Sequence, residues 1–532
     1  MNFTATYHSY KSTNAFSKLA IDYIDGEPSL QKFYNYKPDI NGIKSAIDLR
    51  RKISTNRQLL VSELEKQYQT INTSEEVKEN ISALLDENTF TICTAHQPSI
   101  FTGHLYFIYK ILHAIKLADE LNETITGTRF VPVYYMGSED ADLEELGHVN
   151  VNGVKHKWQT SQKGSVGRMK VDNSFLILID DIEKQLMAEP FGVEIISSIK
   201  STYTEGKTIE QATFEFVNSL FKEFGLIIFM PDNSIFKKEF TEIVKDELLN
   251  RHSHKIVAET ISSLPSSYKI QTSGREINLF YLKDDLRERI EFINEKYVVV
   301  NTAIKFTKNE ILKEVNNYPE RFSANVILRP LFQEMLLPNI AFIGGGGELA
   351  YWMELKSLFD FYKIPYPVLI LRNSFSVIEK RIAEKIKKLN LFASDFFLPS
   401  NKIHEKLAIA NAKSKIGLEE ERIALEQLYV TISKAAADVD GTLQNHSHAL
   451  YAKSLKGILA LEKKMLRAEK KKSLVALSQI EKIKNSLYPS AVLQERTDNL
   501  LLYYAKYGVA FISCVYKHSK SLQQEFCVIT EE

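Results

Sequence analysis

Cysteine is scarce in this sequence: Cys93, Cys514 and Cys527 are the only three in 532 residues. No two are spaced as a C-x-x-C pair, so neither a zinc knuckle nor a disulfide framework is suggested. So few cysteines suit a reducing cytosol. An excess of either charge is also missing, with 67 basic and 67 acidic residues and a formal net charge of zero. That argues against a protein built mainly to coat nucleic acid, which needs a basic surplus to displace counterions. No apolar run approaches the ~20 residues that span a bilayer. The stretch Met1 to Asn14 has no apolar core of signal-peptide type. The expectation is a cytoplasmic protein with no nucleic-acid or membrane partner. Neither G-x-x-x-x-G-K-[ST] nor G-x-G-x-x-G occurs, so the two commonest phosphate-loop signatures are excluded.

The length exceeds one hydrophobic core, and domains of about 100–200 residues imply two to four units. Residues 1–88 read as a charged helical lead-in, with apolar residues at helical spacing over Ile43 to Leu49 and Leu59 to Tyr68. The pattern changes at Thr89. Thr89 to Thr94 is short and rich in β-formers, a helix is predicted over Leu105 to Leu121, and Phe130 to Met136 reads as a second strand. Strand, loop, helix, strand is the βαβ unit of a parallel sheet. Leu226 to Met230, Val298 to Thr302, Pro367 to Leu371 and Val509 to Val515 are further strand candidates. Two excursions interrupt the core, which is taken as residues 89–375. One lies at about 147–165, with an Asn152-Gly153 hairpin turn. The other is a β-rich insertion over Tyr268 to Asn301, with Gly274 at a turn.

Residues 376–488 are almost free of Gly and Pro and rich in Lys, Glu, Ala and Leu. Ile458, Leu461, Met465 and Ala468 form an approximate 3-4 stripe, which Ile480, Ile483 and Leu487 continue in shifted phase. Asp440-Gly441 marks a turn. This is the pattern of an antiparallel helical hairpin or coiled coil that also makes a dimer contact; the alternative is a helical domain folded on its own core. Residues 489–532 return to an α/β pattern, with Gln524 to Ile529 as a last strand. The fold class is therefore α/β, a Rossmann-like parallel-sheet core with small insertions and a helical coiled-coil domain.

Four segments carry chemistry. Between the first strand and helix stand His96, Gln97, Thr102, Gly103, His104 and Tyr106. A strand end facing a helix entry is where open α/β sheets receive anions. Thr102 and Gly103 would expose backbone N–H groups there, and the histidines would donate. The plainer reading is a helix cap and polar surface. After the second strand come Glu139, Asp140 and Asp142, in a run of five carboxylates over seven residues. Such crowding suits an amine, a metal or a general base; the plainer reading is a solvated acidic loop. Gly344, Gly345, Gly346 and Gly347 permit close backbone approach to a ligand. Glu348 follows at a helix start, with Tyr351 and Trp352 placed to wall a pocket. At the end of another strand, Arg372 suits a bidentate phosphate or carboxylate contact, with Asn373 and Ser374 beside it as further candidates for binding a substrate or nucleotide. The plainer reading makes that arginine a surface residue with a helix cap at Asn373 or Ser374. The basic run Lys463 to Lys472 reads as a solvated helix face.

Together, Thr94 to Lys110, Val131 to Glu145, Gly344 to Trp352 and Arg372 to Phe375 resemble the motifs of the BshC family of bacillithiol biosynthesis, in order and spacing. The resemblance covers most of the chain, best over 89–150 and 325–385. It implies a Rossmann-like core with connecting insertions and a coiled coil that promotes homodimerisation. It implies the last step of bacillithiol synthesis, an amide bond joining cysteine to malyl-glucosamine. The family core is similar to nucleotidylyl transferases and class I aminoacyl-tRNA synthetases, which carry H-x-G-H at this junction. Gly103-His104 would stand for its second half and His96 more loosely for the first, although the spacing departs from the motif. ATP or another nucleotide is the expected carboxylate activator, with ADP-type binding and magnesium allowed and no protein-held metal expected. His96, Glu139, Asp140 and Asp142 are then the candidate catalytic groups, and Arg372 would neutralise the malyl carboxylates. The alternatives are a nucleotidylyl transferase acting on another small acid and a non-catalytic dimeric scaffold.

Overall fold

The computed structural model describes residues 2–410, 417–472 and 474–532. Its centre is a five-stranded parallel sheet. From edge to edge the strands are Val368–Leu371, Asn339–Gly344, Thr89–His96, Arg129–Met136 and Ile227–Phe229. Every residue of Thr89–His96 is buried, as a central strand covered on both faces requires. Successive side chains point to opposite faces. Ile92 packs with Ile43 and Ile47 of the lead-in helix Ile40–Arg50, while Cys93 joins the larger core on the other face. The helix Leu105–Thr124 is buried nearly all round, which marks a core helix rather than a surface one.

The order of the strands creates a topological switch. From Thr89–His96 the chain moves outward one way to Arg129–Met136 and Ile227–Phe229. It later returns on the opposite side as Asn339–Gly344 and Val368–Leu371. Ligands bind at such a point, beyond the carboxyl ends of the two strands that flank it. Asn339–Gly344 thus holds a central place, although its apolar run was not among the strand candidates.

Several expectations need correction. Val509 to Val515 is not a strand; Val509–His518 is a helix. Its β-branched and aromatic residues suggest extension, but Phe511, Ile512, Cys514 and Val515 are buried at helical spacing, so tertiary packing overrides local preference. Val298 to Thr302 is not part of the parallel sheet. The strand Lys296–Val299 belongs to the insertion, whose antiparallel sheet also contains Leu279–Lys283, Leu286–Ile293, Lys305–Phe306 and Phe322–Ala324. The insertion thus reaches beyond Asn301, and Gly274 precedes its strands. The lead-in has its helices, including Arg57–Tyr68, but opens with a strand, Phe3–Ser9. That strand lies antiparallel to Glu525–Glu531, from Phe3 opposite Glu531 to Ser9 opposite Glu525. Ser374–Ile378 pairs on the other side of Glu525–Glu531, so part of the expected helical region is also strand.

The small hairpin His148–Val151 and Val154–Lys157 turns at Asn152-Gly153, both with positive φ, as a two-residue turn of this type requires. In the helical arm, Glu419–Val439 and Leu443–Lys472 run antiparallel. The Tyr429 ring lies 5.6 Å from that of Tyr451, and its hydroxyl bonds Ser454 at 2.9 Å. The Asp440 carboxylate accepts from the Thr442 N–H at 2.8 Å in the turn. Of the expected stripe, Ile458 and Met465 are half-buried, while Leu461 and Ala468 are exposed. Ile480, Ile483 and Leu487 are buried where Leu474–Leu487 packs on Ser400–Ala410. Residues 411–416 and Ser473, within the expected helical region, lie outside the described residues, as does Met1 of the lead-in. No helix among the described residues is long and apolar enough to cross a membrane.

Candidate functional site

A cavity of about 370 Å³ opens at the switch point. Its floor is the end of Thr89–His96, where Ala95 and His96 meet Gly345, Gly346 and Gly347. The helix Gly346–Glu354 starts there, two residues earlier than Glu348. Lys110 ties the floor together. Its ammonium donates to the Ala95 carbonyl at 2.6 Å and to both Glu348 oxygens at 2.9 and 2.7 Å. Glu348 in turn accepts from the Gly345 N–H at 2.8 Å. One buried lysine therefore joins the first strand, its helix and the glycine-rich turn.

His96 is buried, with its ring stacked on Tyr106 at 5.4 Å. Its Nδ1 has no hydrogen-bond partner among the described residues. Burial pushes its pKa well below 6.5, helped by the positive Lys110 and by His104, so the imidazole is neutral near pH 7. Gln97 bonds Asp140 at 3.1 Å and links the first segment to the acidic one.

The carboxylates that the sequence groups together have separate places. Glu139 and Asp140 line the cavity. Glu139 is ion-paired with the buried Lys237, which also meets Asp232 at 3.3 Å. Asp140 faces Arg287 at 4.0 Å. Asp142 lies outside the lining and caps the short helix Leu143–Leu146, accepting from the Glu145 N–H at 3.0 Å. Glu145 does line the cavity, and burial raises its pKa, reinforced by Asp140 and Asp142. The backbone here is tightly placed: a Cβ on Gly167 would sit 2.4 Å from the Ser138 carbonyl oxygen.

Other expected residues support the cavity without lining it. Phe101, Thr102 and Gly103 all have positive φ. Asn499 donates to the carbonyls of Phe101 and Gly103, and the Leu105 N–H donates to the Asp498 carbonyl at 2.8 Å. The helix entry is thus held by the carboxyl-terminal segment. His104 lies with its ring 6.2 Å from that of His148. Gly344 is packed against Phe342 and Leu349. Trp352 does not line this cavity. It is fully buried, stacked on Phe342 at 4.2 Å, because its helix turns that face to the sheet. Tyr351, on the other face, lines the cavity.

Arg372 borders the cavity but is not a surface arginine. It is 3% exposed and makes a bidentate pair with fully buried Glu495, at 3.0 and 2.6 Å. Ser374 joins the same carboxylate at 3.2 Å. Asn373 donates its N–H to His113 Nδ1 at 3.0 Å and accepts from the Lys520 N–H at 2.8 Å. Neither caps a helix; Ser374 opens the strand Ser374–Ile378.

Sequence reasoning singled out none of Lys110, Arg287, Arg329 and Arg496, and named Glu145 only within the acidic run; all five are in the lining. Lys110 had a signal: it stands four residues after Tyr106, on the same helix face, as a lone buried cation among apolar neighbours. Arg287 and Arg329 had none, since the insertion sheet and the helix Arg329–Leu336 reach the cavity only through the tertiary fold. No cluster of three or more His, Cys, Asp or Glu side chains among the described residues is arranged to hold a metal.

Comparison with known proteins agrees along the whole chain. Residues 3–373 match the family model for the N-terminal Rossmann-like domain of bacillithiol biosynthesis BshC, and residues 375–531 match that for its C-terminal coiled-coil domain. A relative from Flavobacterium psychrophilum is 39% identical over 98% of both chains. Relatives from Flavobacterium johnsoniae and Christiangramia forsetii are 38% and 36% identical, the first over 98% of this chain and 99% of its own, the second over 98% of both. All three carry the name "Putative cysteine ligase BshC".

Proposed function

The chain belongs to the BshC family of bacillithiol biosynthesis, and from that premise we propose that it is a carbon–nitrogen ligase joining the carboxylate of cysteine to the amine of malyl-glucosamine, as the last step of bacillithiol synthesis. One observation carries this reading. A single cavity at the switch point holds a neutral buried histidine, the carboxylates Asp140 and Glu145, and a glycine-rich helix start. Amide formation needs an amine that has lost its proton and a carboxyl group with one oxygen converted into a leaving group, which departs from the carbon as the C–N bond forms. Asp140 and Glu145 attract the ammonium of the amine substrate. His96, neutral and in the cavity lining, accepts the proton released as the nitrogen attacks.

ATP or another nucleotide supplies activation of the cysteine carboxylate when bound. The residues fit such a group: Gly346 and Gly347, which have no side chains to block approach, begin a nine-residue helix at the cavity, and backbone N–H groups at a helix start favour phosphate. Lys110 holds that turn at a fixed height. Magnesium would come with the phosphates and draw on few protein ligands. The helical arm leaves Leu428, Ile432 and Val439 exposed along one side of the helix Glu419–Val439, a surface suited to pairing with a second copy.

The test incubates the purified protein with cysteine, malyl-glucosamine and ATP and follows products by mass spectrometry, alongside thiol profiles of cells with and without the gene. Bacillithiol formed in vitro, and its loss with accumulation of malyl-glucosamine on deletion, support the assignment. Unchanged thiol and precursor levels on deletion overturn it.

A further inference from the structure

The charges around the cavity do not balance evenly. Lys110 is matched by Glu348, Arg372 by Glu495 and Lys237 by Glu139 and Asp232. Arg287 has Asp140 at 4.0 Å. Arg496 also lines the cavity with no carboxylate partner among the described residues, but it is exposed and keeps its water. Arg329 differs from all of these: it lines the cavity and is half-buried, yet no carboxylate among the described residues lies within 4.0 Å of it. Its two hydrogen bonds go to neutral groups, Gln333 Oε1 at 2.9 Å and the Tyr351 hydroxyl at 3.0 Å. Its guanidinium lies 5.4 Å from the Tyr135 ring centroid. Those contacts fix the plane of the fork without neutralising it, and leave further N–H groups uncommitted. A cation withdrawn from water and left unpaired is unfavourable, and a rigid planar fork is suited to a carboxylate.

We propose that Arg329 is the anchor for a carboxylate of the bound substrate, taken bidentately, and that this carboxylate is one of the non-reacting pair on the malyl arm. The assignment rests on the ligase reading for the identity of the substrate. Cysteine also brings a carboxylate, but that one must attack an activating group. Holding its charge against a guanidinium would make it a poorer nucleophile, whereas the malyl carboxylates remain anions throughout. Arg372, the residue nominated from the sequence for this role, already has its carboxylate in Glu495.

Calorimetric titration of the full chain with L-malate, malyl-glucosamine, the dimethyl ester of malyl-glucosamine and L-cysteine tests this. Wild type is expected to bind malate and malyl-glucosamine, and Arg329→Met to weaken both about 100-fold. Arg329→Lys, which keeps the charge and guards against a folding defect, is expected to weaken them about tenfold because the fork is lost. The diester should bind both proteins alike, and cysteine affinity should not move. Malate binding by Arg329→Met within threefold of wild type, no malate binding by wild type, or a loss confined to cysteine overturns the proposal. Malate binding that depends on Arg329 in a protein forming no amide supports the anchor and sinks the ligase reading. Amide formation unimpaired in Arg329→Met does the reverse.

Discussion

One wall of the cavity, formed by the helix Leu105–Thr124, the glycine-rich turn and the strand end at Leu371, carries its charges in closed pairs. Lys110 meets Glu348 and Arg372 meets Glu495, each through two hydrogen bonds. The facing wall, made of the acidic loop, Arg287 and the start of the helix Arg329–Leu336, is looser. Arg329 has only neutral partners, and Glu145 has no salt bridge among the described residues. Closed pairs fix geometry because breaking them strands a buried charge. Open charges are available to a ligand. The wall that the sequence motifs describe most fully is largely the scaffold, and much of the ligand-facing charge comes from outside them.

The sharpest test of this contrast is Arg372→Met. It leaves Glu495 buried and unpaired, and the expected cost is about 3–5 kcal/mol of stability, measured by urea unfolding. A loss below 1 kcal/mol would place Arg372 with the open charges. On the other wall, Asp140→Asn should fold as wild type does and lower bacillithiol formation about 100-fold, read by mass spectrometry. Equal losses of stability and product would mean that both walls are scaffold.

Glu334 sits behind the open wall, on the same helix as Arg329. Burial raises its carboxyl from 4.5 to about 7, against the pull of Arg50. The folded state holds this proton more tightly than the unfolded chain does. Its contribution to stability is therefore present below about pH 4.5 and lost as pH rises through about 7. Glu334→Gln removes the titration, so relative to wild type the variant should gain about 2–3 kcal/mol between pH 4.5 and 8. A difference that stays flat with pH in paired urea melts would show that the carboxyl titrates normally. The smallest effect is expected far from both walls. At Gly153, φ is +76° with open space around the missing Cβ, so Gly153→Ala should cost about 1 kcal/mol and leave product formation unchanged. A drop in product would link the hairpin to the cavity.

Much of the core was legible because its signals are local. Thr89 to Thr94 is a run of β-formers before a long helical pattern, and Asn152-Gly153 is a turn with a fixed backbone demand. Asn339–Gly344 was missed because its apolar residues follow Leu336, Leu337 and Pro338 closely and blend with the preceding helix. Val509–His518 was misread because a short apolar stretch has no period clear enough to separate strand from helix. At the site, His96, Gln97, Asp140 and Gly345 were legible because they sit at or just beyond strand ends or at a helix start, and Tyr351 because it follows the glycine run. Trp352 was misplaced since adjacent helix positions face different ways, and only the packing of Phe342 decides which of Tyr351 and Trp352 turns inward. Arg329 and Arg287 reach the cavity through long excursions of the chain, and no spacing rule spans those.

The clasp between Phe3–Ser9 and Glu525–Glu531 also sets a timetable. Its partners stand 526 residues apart at Thr4 and Thr530. At about 5–20 residues per second, a ribosome delivers the second strand roughly 25–105 s after the first. Until then Phe3–Ser9 and Ser374–Ile378 both lack the strand that pairs with them among the described residues. Arg372, two residues before that strand, likewise waits for Glu495. The cavity's paired wall is therefore completed after the facing wall, whose Asp140, Arg287 and Arg329 all precede Glu495 in the chain. Ribosome-arrested chains that stop short of Glu495 should be cut by protease near Arg372, and chains that include Glu531 should resist.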